Sequence, residues 1–420
     1  QTRDEPGEAI EEHRERTGPW RLEHALDAPS WLHIDATHRA RFEHLGRSFR
    51  TPEDTTLSAL SLRTNLRIAA AFEPAALVVE LLDSRVHFAD EALPLGTSLV
   101  NPLDFLQAYG ALRVNDRYSD FGTLIVRIGR MTIDVGSRRV VARNNFRNTI
   151  NAFTGFDARL VLGPNHHIRL MGLLPVTRRP TGDDGLEANR LVMDTETENR
   201  VFGGMHVLWP VRGLEGSVEG YVFGLFEQDA GGFETSDRRL ATTGVRWSVP
   251  ATDGAFDVDI EWVGQFGRSH ASRSAADTRD LRHNAYFGHT EVGYTFDSSV
   301  APRVALLHDV ASGDDNPNDN VNNRFDTLYG ARRFEYGPTG IFGALARRNI
   351  QSPSLRVEVS PRRWNGFVGY RAVWLHRGRD AWTTAGLRDP TGEEGRFIGH
   401  QLEARVRYKA IPQNMTLEIG

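Results

Sequence analysis

The chain has 420 residues, a formal net charge of −5 and no cysteine. The lack of cysteine excludes disulfides, thiolate metal sites and covalently attached c-type haem, and the slightly acidic balance gives no reason to expect a nucleic-acid partner. All 50 basic residues except Lys409 are arginines. Their planar, permanently charged guanidinium groups are suited to binding carboxylates and phosphates.

The N-terminal segment, residues 1–28, precedes the first regular alternation of apolar and polar residues. Residues 4–16 are charged on every side and place Glu12 and Arg16 at a helical i,i+4 spacing, so one short solvated helix could form there. The usual behaviour of chain termini favours the alternative, a lightly ordered arm. We expect a periplasmic arm over residues 1–28, with or without that helix.

From Trp31 onward, apolar and polar residues alternate with a period of two. The alternating stretches run for about nine to thirteen residues, the length that a tilted membrane-spanning strand needs. Clear examples are residues 32–43, 60–68, 257–266, 286–296 and 402–409. Each has one mainly apolar face and one charged face, and His38 is the clearest exception on an apolar face. The pattern predicts an all-β fold, a transmembrane antiparallel β-barrel of about 16 to 18 strands over residues 29–420.

Short turn signals alternate along the chain with long polar segments. Proline and glycine mark the short turns, as in residues 250–254. The long segments, rich in Asp, Asn, Gly and Arg, are residues 177–200, 268–282, 311–336 and 377–397. A soluble β-sandwich or β-helix would also alternate, but here the charged faces are more continuous and aromatic residues end the apolar faces, as in membrane girdles. We therefore expect a barrel in the outer membrane of a Gram-negative bacterium, in contact with membrane lipids and lipopolysaccharide.

Two segments carry a more specific signature. The first, residues 126–155, contains Gly129, Arg130, Asp134, Arg138, Arg139 and Gly155. The second, residues 311–330, begins with an alanine followed by Ser312, Gly313 and Asp314, and ends in Leu328, Tyr329 and Gly330. In their order these segments resemble the alginate-export family of outer-membrane β-barrels. The chain departs from that family's pattern at Met131, Thr154 and Gly330.

The resemblance implies a monomeric barrel of about 18 strands, through which an anionic polysaccharide such as alginate passes along an arginine-lined constriction. It implies a channel with neither catalytic residues nor a cofactor. Alginate itself does not follow from the resemblance, so the anionic solute is left open. A periplasmic partner protein is compatible with this interpretation.

The sequence supplies suitable arginines independently of the resemblance. Those that fall on the polar faces of their predicted strands, and therefore face the lumen, are Arg39, Arg41, Arg63, Arg67, Arg127, Arg371, Arg405 and Arg407. Fixed guanidinium groups in a narrow pore lower the barrier for carboxylates or phosphates and oppose cations. Alternatively, these arginines form ion pairs with acids on neighbouring strands, and their role is only to hold the strands of the barrel wall together. The acids concerned are Asp35, Glu43, Asp83, Glu261, Glu291 and Glu403.

Other kinds of site find weaker support. Asp314, Asp315 and Asp319 offer oxygen ligands for calcium but lack the spacing of a helix-loop-helix calcium site, so no metal is predicted. No hydrolase, nucleotide-binding or dinucleotide-binding motif occurs. His289 and Glu291 share a predicted lumen face and could be a base and its orienting partner in a barrel hydrolase, although structural pairing is the simpler interpretation. A third hypothesis is a passive sheath around a partner protein such as an electron carrier.

The C-terminal end of the sequence begins a further alternation. Met415, Leu417 and Ile419 alternate with polar residues after a short turn, and the sequence stops at Gly420. A strand of this length is shorter than the roughly nine residues needed to cross a membrane. We expect the natural chain to continue beyond Gly420 for at least the rest of this strand, unless a partial strand closes the barrel near one rim.

Overall fold

The computed structural model describes residues 20–50, 55–115, 122–163, 165–211 and 213–420. The strands are β1 Leu32–Leu45, β2 Leu57–Phe72, β3 Ala75–His87, β4 Asn101–Asn115, β5 Thr123–Met131, β6 Phe153–Gly163, β7 His166–Pro175, β8 Arg200–Trp209, β9 Ser217–Glu227, β10 Arg239–Val249, β11 Phe256–Ser269, β12 Leu281–Thr295, β13 Arg303–Ala311, β14 Val321–Asn322, β15 Ile350–Val359, β16 Trp364–Trp374, β17 Phe397–Ile411 and β18 Met415–Ile419. The short helices are α1 Leu22–Ala25, α2 Asp183–Glu187 and α3 Arg333–Tyr336. The helix predicted over residues 4–16 lies outside the described residues. No helix in the described part of the chain is both long and apolar enough to cross a membrane.

The five stretches with the clearest alternation are all strands, namely β1, β2, β11, β12 and β17. Alternation predicts them because successive side chains of a strand point to opposite faces of the sheet. Each strand contains more residues than its alternating stretch, because the alternation fades near the strand ends, before the chain enters a loop.

The chain divides into two compact units. Unit 1 comprises Gln1–Met205 and Leu328–Leu345, and unit 2 comprises His206–Thr327 and Ala346–Gly420. In unit 1, β1 to β7 pair antiparallel, each strand with the next along the chain. In unit 2, β9 to β13 pair in the same way. Strands β15 to β18 continue antiparallel from β13, and the two-residue β14 lies parallel beside β12.

The two faces of the strands are inverted relative to a soluble protein. In β2 of unit 1, Arg63 and Asn65 are buried whereas Ile68 is exposed. In β17 of unit 2, Leu402 is 74% exposed and Val406 43% exposed, while the alternate position Arg405 is only partly exposed. The apolar faces therefore point outward and the polar faces inward, as the alternation predicted.

One buried apolar cluster of unit 1 lies where the ends of β2 and β3 meet the connecting segments. The cluster consists of Leu57, Ala59, Val86, Leu93, Leu99, Val100, Leu186 and Ile341. It fixes the segment of residues 88–100 beside the strand ends. Carbonyl oxygens of this segment, those of Thr97 and Leu99, accept hydrogen bonds from side chains of the loop between β5 and β6.

Candidate functional site

Residues 132–152 join β5 to β6, and we call them the β5–β6 loop. The middle of this loop lies against the polar face of β1 and β2. Three of the predicted lumen arginines, Arg39, Arg41 and Arg63, converge on it and donate hydrogen bonds to its backbone. The structure thus brings together one part of the predicted arginine set around a single loop.

Arg39 and Arg63 stand directly opposite each other on β1 and β2. The guanidinium of Arg63 donates to the carbonyl oxygens of Asn145 and Arg147, both at 3.0 Å, and to Oδ1 of Asn145 at 2.7 Å. Arg39 donates to the carbonyl oxygen of Phe146 at 3.1 Å and to that of Arg147 at 2.7 Å. These carbonyl and amide oxygens carry no net charge, so the positive charge of Arg63 is held in place without being neutralised by its acceptors.

Arg41 binds the same loop in a different way. Its Nη1 donates to the carbonyl oxygen of Phe146 at 2.6 Å, and its guanidinium lies 4.6 Å from the centre of the Phe146 ring. The same guanidinium forms an ion pair with Glu43 at 3.0 Å. Arg41 is therefore an anchor whose charge is compensated, unlike that of Arg63.

Asn148 fixes the loop to the wall from the other side. Its side chain is fully buried, and Nδ2 donates to the carbonyl oxygens of Leu62 at 3.2 Å, Arg85 at 3.1 Å and Leu99 at 2.8 Å. The hydroxyl of Ser84 donates to the carbonyl oxygen of Asn148 at 2.7 Å. One buried amide thus satisfies acceptors on β2, β3 and the segment before β4, as buried polar groups require.

Further arginines surround this anchored loop. The guanidinium of Arg147 has no hydrogen-bond or ion-pair partner within residues 20–50, 55–115, 122–163, 165–211 and 213–420. Burial, and then the positive charges of Arg332 and Arg178, lower the pKa of Arg147 to about 9, so it remains charged at neutral pH. Arg178 donates to the carbonyl oxygen of Thr97 at 2.8 Å and to Oδ1 of Asn151 at 2.9 Å. The electrostatic environment of Arg147 is therefore positive.

Two other arginines of the predicted set in unit 1 are paired with acids. Arg67 lies 3.8 Å from Asp35 on the neighbouring strand. Arg127 is completely buried and forms an ion pair with Asp157 at 2.9 Å, and the second oxygen of Asp157 accepts from Arg169 at 2.5 Å. For these two arginines, the observed contacts are ion pairs between neighbouring strands, as the alternative interpretation expects.

The predicted arginines of unit 2 lie on two neighbouring strands, Arg371 on β16 and the other two on β17. Arg371 is buried and donates to the hydroxyl of Ser352 at 3.4 Å. Arg405 lies 4.9 Å from the centre of the Phe367 ring. Arg407 forms an ion pair with Glu418 across the β17–β18 hairpin. Arg405 and Arg407 are two residues apart on the inward face of β17, and Arg371 lies opposite Gln401 at the other end of the β16–β17 pair.

The first family motif shapes the β5–β6 loop and its two strands. Gly129 and Gly155 are opposite each other, with φ of +131° and +153°. A Cβ at Gly129 would lie 2.3 Å from the carbonyl oxygen of Ala108, so only glycine fits there without distortion. The other motif residues form fixed contacts: Arg130 with Asp104 and Glu196, Asp134 with the backbone N–H of Arg143, Arg138 over the ring of Phe334, and Arg139 with Glu335.

The second family motif joins two loops of unit 2. The hydroxyl oxygen of Ser312 accepts from the backbone N–H of Tyr286 at 2.9 Å. Gly313 packs against Asn349, where a Cβ would lie 1.9 Å from Oδ1. The backbone N–H of Asp314 donates to Asp380 at 2.9 Å, and Arg324 binds that same carboxylate. The contacts of Ser312, Gly313 and Asp314 therefore fix the backbone that follows β13.

The calcium hypothesis gains no support from these loops. Among the described residues, no group of three or more His, Asp or Glu side chains is placed to hold a metal ion. That finding covers Asp314, Asp315 and Asp319. The backbone N–H of Val321 already donates to Oδ1 of Asp319 at 2.8 Å.

The hydrolase hypothesis rested on His289 and Glu291. Nδ1 of the buried His289 is 2.8 Å from Oδ1 of Asp309, which is also buried, and Nε2 is 3.7 Å from Glu291. Glu291 forms an ion pair with Arg303 at 2.7 Å. The histidine is only 1% exposed, and the observed contacts are those of structural pairing, the simpler interpretation.

The alternation pattern missed Asn145, Arg147, Arg178 and Arg332, because none of them lies on a strand. One local signal could have found the first two. Residues 144–151 contain four asparagines within a segment that shows no period of two, although a family signature surrounds it. Such a polar segment between two strands indicates a loop whose side chains make specific hydrogen bonds.

Comparison with known proteins agrees with this architecture. The model of the alginate export family matches residues 30–420. The crystal structure of Pseudomonas aeruginosa OpdK with vanillate aligns over 92% of this chain and 91% of its own, at 12% identity and a TM-score of 0.54. That of Pseudomonas aeruginosa OccK2 (OpdF) aligns over 92% and 90%, at 14% identity and a TM-score of 0.52. No curated protein sequence matches.

These comparisons confirm the predicted fold class, a transmembrane antiparallel β-barrel, and the predicted location in the bacterial outer membrane. The matched family and fold are those of transport channels and not of enzymes. The exposed apolar faces of the strands are accordingly the lipid-facing surface. The chain belongs to the alginate export family of outer-membrane β-barrel proteins.

Proposed function

We propose that this channel passes anionic solutes, and that they move past the arginines around the β5–β6 loop. The observation that carries the proposal is the set of acceptors of Arg63, all of which are carbonyl or amide oxygens. Arg178 has the same kind of acceptors, and Arg147 has no hydrogen-bond or ion-pair partner within the described ranges. The positive charge of these groups is therefore not neutralised by their hydrogen-bond acceptors and would attract a passing anion.

The chemistry of these groups favours carboxylates. A guanidinium group presents parallel N–H donors that match the two oxygens of a carboxylate, and it stays charged at any physiological pH. A polyuronate such as alginate carries a carboxylate on every sugar, so it could move between neighbouring arginines by exchanging one contact for the next. The name of the family supports an anionic polysaccharide, whereas the vanillate of the OpdK structure represents a small carboxylate.

Reversal potentials in planar bilayers test the selectivity. We expect the purified protein to conduct, with a reversal potential in a salt gradient that indicates a preference for anions. In Arg147→Gln the anion-to-cation permeability ratio should fall about fifteenfold, because a unit positive charge about 5 Å from an ion stabilises an anion and destabilises a cation by roughly 0.8 kcal/mol each in water-like surroundings. Arg147 is the informative position because its side chain does not anchor the loop.

Arg190 provides the matched control, since it is an exposed arginine of unit 1 in the loop of residues 176–199. Arg190→Gln removes the same charge and should leave the reversal potential unchanged. If both variants behave like the wild type, the arginines only hold the wall together. A protein that inserts but does not conduct would instead support the alternative of a filled sheath around a partner protein.

Transport of polyanions is tested by blockade of the current. Mannuronate oligomers added to one side should interrupt the current of the wild type more often than that of Arg147→Gln, and neutral oligosaccharides of the same length should not. The resemblance to the family further leads us to propose a monomer, with residues 1–28 as a periplasmic arm that could meet a periplasmic partner. The molar mass of the protein in detergent, corrected for bound detergent, tests this proposal and should equal that of one chain.

A further inference from the structure

A row of three arginines crosses β10, β11 and β12 on their lipid-facing side. Arg239 lies opposite Arg268, and Arg268 lies opposite Arg282. All three side chains are exposed. Adjacent strands are about 4.8 Å apart, so three positive charges occur within about 10 Å. Like charges directly opposite each other destabilise a sheet, so this surface is favourable only when an anion lies against it.

The acids nearby compensate this charge only in part. Asp237 lies 3.5 Å from Arg239, and Asp280 lies 3.3 Å from Arg268. The pair of Arg268 with Asp280 is open to solvent, where an ion pair contributes little, and Arg239 is itself about half exposed. The guanidinium of Arg282 has no hydrogen-bond or ion-pair partner in the part of the chain that the structure describes. Among the described residues, three arginines with two neighbouring acids leave the row with a net positive charge.

An apolar and aromatic surface lies next to the row, towards the middle of the strands. Phe266 is on the same face as Arg268 and two residues along β11, a separation of about 7 Å. It is exposed, as is Trp262 further along the strand, whose ring stacks on Tyr286 at 5.4 Å. The arginines at the strand ends and the apolar rings nearer the middle of the strands are together complementary to an amphiphile with an anionic headgroup.

The row also lies at a defined end of the barrel wall. The connections beside it, residues 228–238 and 270–280, are long, whereas β11 begins after the short turn of residues 250–255. In outer-membrane barrels the long loops are extracellular and the short turns periplasmic. The arginines therefore lie at the level of the headgroups of the outer leaflet.

We propose that Arg239, Arg268 and Arg282 form a binding site for the phosphate groups of lipopolysaccharide. The guanidinium groups bind the phosphates of its lipid A headgroup, and the acyl chains lie against Phe266 and Trp262. The site is independent of the solute pathway, because it uses the outward face of unit 2.

The test measures binding of lipid A to the full-length protein in detergent. Native mass spectrometry compares bis-phosphorylated lipid A with its dephosphorylated counterpart. We expect the wild type to prefer the phosphorylated form, and Arg268→Gln/Arg282→Gln to bind it about tenfold or more weakly, as expected for the loss of charge-assisted hydrogen bonds. Arg362→Gln/Arg363→Gln is the matched control, because these exposed arginines lie in the turn between β15 and β16.

Several outcomes would overturn the proposal. Equal binding of the two lipids would show that the acyl chains alone are recognised, and equal weakening in the control would indicate non-specific attraction. Displacement by an equimolar concentration of inorganic phosphate would assign the row to free anions. The heat-dependent mobility of the barrel in gels reports folding. If the double variant fails to fold, Arg282→Gln alone must show the loss.

Discussion

The attachment of the β5–β6 loop to the barrel wall can be tested through Asn148. Asn148→Ala removes an amide whose two N–H groups serve three carbonyl oxygens, those of Leu62, Arg85 and Leu99. Each buried acceptor that loses its donor costs about 1 to 3 kcal/mol, unless water reaches it. With three acceptors affected, we expect the attached state of the loop to lose at least about 3 kcal/mol, which increases the detached population by roughly a hundredfold or more.

Two measurements report this loss. Amide hydrogen exchange of residues 144–151 should accelerate in Asn148→Ala, because exchange occurs from the detached state. Single-channel conductance should rise or become noisier as the loop leaves the strands. Asn145→Ala is the control from the same loop, since it removes only one side-chain acceptor of Arg63 and should have a smaller effect. Unchanged exchange in Asn148→Ala would refute the reasoning that this amide attaches the loop.

Two further predictions concern carboxylates of unit 1, the buried Asp157 and the partly buried Asp194. Asp157→Asn leaves Arg127 and Arg169 without their shared counter-charge, so the free energy of unfolding should fall by about 3 to 5 kcal/mol in a urea titration; a loss below about 1 kcal/mol would contradict this. Burial, and then the negative charge of Asp104, raise the pKa of Asp194 to about 6 from its ordinary 3.8. Its contribution to stability is therefore complete below about pH 4 and is lost as the pH rises through about 6. Protection factors in residues 176–199 should fall over that range in the wild type but not in Asp194→Asn.

The strands could be predicted from the sequence because the constraint on them is local. A lipid-facing residue must be followed by an inward-facing one, so Leu402, Glu403 and Ala404 already show which way β17 faces. The sequence therefore predicts which segments form strands and which face of each strand points outward. Strand ends are less certain, because alternation stops before hydrogen bonding does.

The candidate site could be predicted only in part. Alternation places Arg39, Arg41 and Arg63 on inward faces, but it also places Arg67 and Arg127 there, and these two are paired with acids. What separates the two groups is the position of a loop that is distant in sequence. A period of two carries no information on such contacts, so the carbonyl acceptors of Arg63 could not be foreseen.

The opposition of Arg39 and Arg63 on neighbouring strands has a consequence for the order of assembly. Alone, the β1–β2 hairpin would hold two like charges face to face. The backbone oxygens that separate and satisfy these charges belong to residues 145–147, 82 residues beyond Arg63 in the case of Asn145. The β1–β2 hairpin therefore reaches its stable form only after the β5–β6 loop has been made and folded back on it. In the kinetics of membrane insertion, the start of the chain should be among the last regions to become protected.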